Sequence, residues 1–128
     1  MTRPRIVIAD DSRQMRDIIE GLVAGDYDVV ASVEDGRTAV DAAKRYTPEL
    51  ILLDVSMPIL NGIEAGRQIL QCCPSVRVLV VSEHSEKSYV EAAFSAGAQG
   101  FVAKRKIASE LLAAMGDILA GKEHGRPL

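Results

Sequence analysis

Short apolar runs rich in β-branched residues recur at residues 6–9, 29–33, 50–53, 76–81 and 101–103. Each is too short for a helix and is followed by a segment of helical rather than alternating periodicity. After the first run, Ser12 is placed to cap a helix with Met15, Ile18, Ile19 and Leu22 on one face and Gly25 as its stop. The second helix carries the weaker stripe Ala39, Val40 and Ala43 and ends before Pro48, and the third starts at Asn61, carries Ile63, Gly66, Ile69 and Leu70, and ends before Pro74. A fourth, capped by Ser85, sets Tyr89, Val90, Ala93 and Phe94 on one face and stops at Gly97. The fifth carries Leu111, Leu112, Met115, Ile118 and Leu119 and stops at Gly121.

Five strand-then-helix units in strict alternation predict a parallel sheet with right-handed crossovers and helices on both faces. The first, third and fourth runs are continuously apolar, as strands covered on both sides must be. The second and fifth are mixed and suit the edges. The expected architecture is therefore α/β, a flavodoxin-like doubly wound sheet of five parallel strands in the order 2-1-3-4-5 with five helices.

The composition fits one ordinary domain: 128 residues, 48% hydrophobic and 26% charged, enough for a core without disulfides or structural zinc. Cys72 and Cys73 are adjacent, and with only His84 and His124 besides they form no metal-ligand spacing. That usage suggests a reducing, cytoplasmic setting. A formal net charge of −3 with scattered basic residues disfavours nucleic-acid binding by this segment itself, and no run is long enough to cross a membrane.

In open α/β sheets ligands bind outside the carboxyl ends of the strands. Those ends carry Asp10 and Asp11, Asp54, Ser82 and Lys104. With the first and third strands adjacent, three carboxylates converge, and their repulsion calls for a cation. An oxygen-only donor set with no His or Cys points to Mg2+, which keeps room for a phosphoryl oxygen that Lys104 and the Ser82 hydroxyl are suited to hold. Asp54, central and followed by the abrupt turn Val55-Ser56-Met57-Pro58, is the candidate nucleophile, since a carboxylate can accept a phosphoryl group as an acyl phosphate.

The segments Ile8-Ala9-Asp10-Asp11-Ser12, Leu52-Leu53-Asp54-Val55-Ser56-Met57-Pro58 with Asn61-Gly62, Ser82, Gly97-Ala98 and Phe101-Val102-Ala103-Lys104 resemble the receiver domain of two-component response regulators. The resemblance runs from about Arg5 to Gly121, with residues 122–128 left as a tail or the start of a linker. It implies that Asp54 accepts a phosphoryl group from a sensor histidine kinase, a phosphotransfer protein or a small acyl phosphate. It further implies that Asp11, Asp54 and the Ser56 carbonyl bind Mg2+, with Asp10 acting through water. Lys104 would pair with the phosphoryl oxygens, Ser82 would swing toward them, and Phe101 would rotate inward to change the surface of the fourth helix, fifth strand and fifth helix. Ser56, Glu83 and His84 would tune loading and lifetime.

The segment 76–82 and the helix ending in Gly-Lys resemble the LuxR/NarL-like subtype, which implies a homodimer on phosphorylation and DNA binding only through a C-terminal domain absent from these 128 residues. Such a domain turns over no external substrate. Two departures stand out: Glu83 where the family has a small residue, and Arg105 where many members have a proline after a cis bond. Two other readings compete. A degenerate receiver acting as a constitutive binding module is opposed by the complete set of active-site side chains. A haloacid-dehalogenase-like phosphatase wants Asp-x-Asp after its first strand, where this chain has Ser12.

Overall fold

A computed structural model describes residues 2–127; Met1 and Leu128, the outer limits of the predicted domain and tail, lie outside the described residues. The strands are β1 (Arg5–Ala9), β2 (Asp28–Val33), β3 (Leu50–Leu53), β4 (Arg77–Ser82) and β5 (Gly100–Ala103). The helices are α1 (Arg13–Val23), α2 (Gly36–Tyr46), α3 (Gly62–Cys72), α4 (Lys87–Ser95) and α5 (Ile107–Leu119), the last entered through a 3-10 turn over Lys104–Lys106. All strand pairs are parallel and the order is β2-β1-β3-β4-β5, as the alternation requires.

Successive side chains of the inner strands feed two cores, because strand residues alternate between faces. Val7, Ile51, Leu53, Val78 and Val80 pack toward α2, α3 and α4, whereas Ile6, Ile8, Leu50, Leu52, Leu79 and Val81 pack toward α1 and α5. The caps expected at two helix starts are present: Ser12 Oγ accepts from the Met15 N–H, and Asn61 Oδ1 accepts from the Glu64 N–H.

Several local expectations are corrected. Ser85 does not cap α4; Glu86 stands at that position with no side-chain bond, and the Ser85 hydroxyl accepts from Arg105 instead. Ile18 and Leu112, assigned to buried stripes, are 44% and 43% exposed. A helix lying on a sheet buries a narrower arc than the full spacing pattern marks out, and in α1 that arc centres on Ile19 and Val23. The helix also ends at Val23, ahead of Gly25, where the Tyr27 N–H reaches back to the Val23 carbonyl.

The two edges differ. β2 is half-buried along its length, but β5 is buried throughout, because residues 121–127 turn back along its outer side. His124 forms an isolated parallel bridge with Gly100.

Candidate functional site

The backbone ladders of the inner strands run on past their ends, and this fixes the acidic residues. The Asp54 N–H donates to the Ala9 carbonyl at 2.9 Å and the Asp10 N–H to the Val33 carbonyl at 3.0 Å. Behind Asp54 the chain turns so tightly that Gly62 lies against its carbonyl, and a Cβ at Gly62 would collide with that oxygen. Only glycine allows this approach. Asp10 is held twice more: its Oδ1 accepts from the Ser12 N–H and its carbonyl from the Arg16 guanidinium.

Carboxylate oxygens of Asp10, Asp11 and Asp54 lie within 4.8 Å of one another. Asp10 and Asp54 are 1% and 4% exposed, and Asp11 is open to solvent. Lys104, on the first residue after β5, brings its Nζ to 2.8 Å from Asp10 Oδ2 and 3.4 Å from Asp54 Oδ1. Burial and the nearby Asp10 charge push the Asp54 carboxyl up to about 6, against the lowering effect of Lys104. Burial pulls the Lys104 ammonium down, yet its contacts with Asp10 and Asp54 outweigh this and raise it above its ordinary value. One cation thus serves two buried carboxylates and leaves a third beside them.

The donor set fits a hard divalent ion. Asp10 Oδ2 is buried and, despite its ionic contact with Lys104, has no aligned hydrogen bond, and every donor in the cluster is oxygen. The cleft above, lined by Asp11, Ser12, Asp54, Ser56, Glu83, His84 and Lys104, encloses about 190 Å³. Sites for drug-sized ligands occupy about 300–1,000 Å³, so this cleft is smaller than those.

The structure brings Asp11, Asp54, Ser56, Glu83, His84 and Lys104 to one cleft, with the buried Asp10 in contact with Lys104, and Ser82, fully buried, ends the neighbouring strand. Ser82 Oγ accepts from the His84 N–H at 3.0 Å. Phe101, on β5, is buried at 6% exposure. The peptide bond before Arg105 is trans, like every described bond in the chain.

Three contacts around the cleft escaped the sequence reading. Arg105, in the position of the expected proline, reaches across to donate to Ser85 Oγ at 2.6 Å and ties the loops after β4 and β5 together. The His84 ring stacks on Tyr89, with centroids 4.8 Å apart, which leaves Tyr89 at the surface rather than on the buried face of α4. Arg16 supports Asp10 from one turn into α1. Of the three, only Arg105 carried a signal, its departure from the family pattern.

The family model for the response regulator receiver domain matches residues 6–116. The transcriptional regulatory protein DegU of Brevibacillus brevis is 38% identical over 96% of this chain, which spans 53% of that relative's length. The chemotaxis protein CheY of Bacillus subtilis (strain 168) is 36% identical over 90% of the chain and 97% of its own length. Among solved structures, a LuxR-family two-component response regulator from Aurantimonas sp. SI85-9A1 superposes with a TM-score of 0.92 at 33% identity, covering 98% of this chain and 91% of that one. The acidic cluster at the ends of β1 and β3 and the lysine after β5 therefore lie in a chain that belongs to the response regulator receiver family, the signalling module of two-component systems.

Proposed function

We propose that Asp54 is the phospho-acceptor of this receiver, loaded by a phosphohistidine on a sensor kinase or phosphotransfer protein. The observation that carries this reading is the lysine held between two buried carboxylates at the floor of a small polar cleft. An Asp54 carboxylate oxygen attacks phosphorus, the P–N bond of the donor breaks, and its electron pair returns to the imidazole. Lys104 then shifts from Asp10 toward the phosphoryl oxygens, and the Ser82 hydroxyl exchanges its bond from the His84 N–H for one donated to the phosphoryl group. Asp11, Asp54 and the Ser56 carbonyl would hold Mg2+, with Asp10 acting through water, and the ion would supply charge neutralisation of the transferring group. Glu83, exposed at the rim, repels anionic donors, and with Ser56 and His84 sets the rates of loading and loss.

The domain processes only its own phosphoryl group and turns over no external substrate. It acts in the cytoplasm, and among its described residues no helix is long and apolar enough to cross a membrane. The match to DegU supports a transcriptional output, with dimerisation on loading and DNA contacted by a further C-terminal domain. Intact-mass analysis after incubation with acetyl phosphate and Mg2+, or with a phosphorylated kinase domain where Glu83 slows the small donor, is expected to show one phosphoryl adduct. The adduct should require Mg2+ and be absent in Asp54→Asn. Equal loading of Asp54→Asn would overturn the assignment, and no adduct from either donor would favour a constitutive binding module.

A further inference from the structure

The segment after α5 has the composition of a linker, yet it is built into the structure. The His124 N–H donates to the Gln99 carbonyl at 3.0 Å, and the Phe101 N–H donates to the His124 carbonyl at 2.9 Å. The His124 imidazole lies between Asp117 and Glu110 of α5, 3.2 Å and 3.4 Å away. Gly125 takes φ +85° and passes so near β5 that a Cβ there would collide with the Phe101 carbonyl oxygen. Arg126, paired with Glu123, sets its guanidinium over the Phe94 ring of α4 at 4.6 Å. The segment thus touches α4, β5 and α5 together, and occupies the hydrogen-bonding edge that an edge strand otherwise leaves free.

We propose that residues 121–127 are a latch on the β5 edge, and that loading the Asp54 site loosens it. The inference rests on the function proposed above and adds a moving part. Lys104 directly follows β5, and in the unloaded site it is held by Asp10 and Asp54. A phosphoryl group on Asp54 draws Lys104 from Asp10, and this displaces the end of a four-residue strand whose outer edge holds the latch. The Phe101 ring is already buried, so the strand cannot respond by burying it further. The remaining compliance is in the bonds to His124, on a segment with no buried side chain among its described residues. Release exposes the β5 edge.

Linkage makes the idea testable from both directions, since two coupled equilibria must affect each other by the same factor. The experiment is amide hydrogen exchange on the full chain with Mg2+, with and without beryllofluoride as the phosphoryl mimic, whose binding is read separately as an Asp54-dependent rise in melting temperature. Exchange at the Phe101 and His124 amides is expected to speed up by about 5–10-fold on binding, the lower part of the usual coupling range. Gly125→Val, which cannot hold the latch conformation, and the double variant His124→Ala/Arg126→Ala should both bind beryllofluoride tighter by a similar factor. Asp54-dependent binding with unchanged exchange at both amides, or with unchanged affinity in both variants, would overturn the latch and leave the receiver function standing. Absence of Asp54-dependent binding would remove both.

Discussion

Leu52 and Asp54 are two residues apart, and both are buried, but their surroundings are opposite. Leu52 sits mid-strand at 1% exposure among Ile8, Leu79 and the aliphatic side chains of α1 and α5, where every neighbour favours the folded state. Asp54, at 4% exposure, has Asp10 and Asp11 for neighbours and only Lys104 to offset them. The middle of the sheet stabilises the domain, and its carboxyl rim draws on that stability to hold charges together. This division lets the rim be reactive while the frame around it stays rigid.

The contrast can be broken most severely at its stable pole. Leu52→Ala is expected to lose about 2–5 kcal/mol of unfolding free energy, the range for a buried leucine replaced by a cavity, read by urea denaturation. At the rim, Lys104→Met removes the cation shared by two buried carboxylates. A loss on the order of 2 kcal/mol in metal-free buffer is expected, partly recovered on adding Mg2+; an unchanged midpoint would show that the carboxylates do not depend on this lysine.

Asp54→Asn should move the other way, raising the metal-free unfolding free energy at neutral pH by about 1–2 kcal/mol through relief of like-charge repulsion and burial. Its pH dependence sharpens the point. Asp54 titrates at about 6 in the fold, against an ordinary value of 3.8. Between those pH values the folded chain keeps a proton that the unfolded chain has lost, so this group makes stability fall as pH rises from 3.8 to about 6. Above that window its penalty is constant, and below it the penalty vanishes. The difference in midpoint between wild type and Asp54→Asn should therefore shrink toward zero on acidification, and a difference independent of pH would contradict the raised Asp54 pKa. The smallest effect belongs to Ile18→Ala, expected within about 0.5 kcal/mol because the residue is half in solvent, in contrast with Ile19→Ala one position on.

The fold and the acidic cluster were legible in the sequence because both follow from strict periodicities. Alternation of short apolar runs with helical stripes dictates the sheet, and the sheet dictates that residues ending β1, β3, β4 and β5 share a rim. What periodicity does not encode was missed. Ser85 looks like a helix cap, but its hydroxyl is taken by Arg105 from a different loop, a choice between partners that only tertiary placement decides. Ile18 and Leu112 obey the helical spacing yet face outward, since spacing gives a stripe's centre better than its width. Residues 121–127 carry glycine, proline and charge, a composition that reads as unstructured, yet they are ordered by backbone bonds to β5 and by a glycine at 125 whose conformation and close approach only the tertiary structure reveals.

The strand order also divides the site along the chain. β1 is flanked by β2 and β3, so Asp10 and Asp54 come from the first three strands, whereas Lys104 belongs to the last strand-and-helix unit. The ion contacts of Lys104 with Asp10 and Asp54 therefore close the sheet from one end of the chain to the other. A fragment lacking that last unit would carry the carboxylates and not their cation.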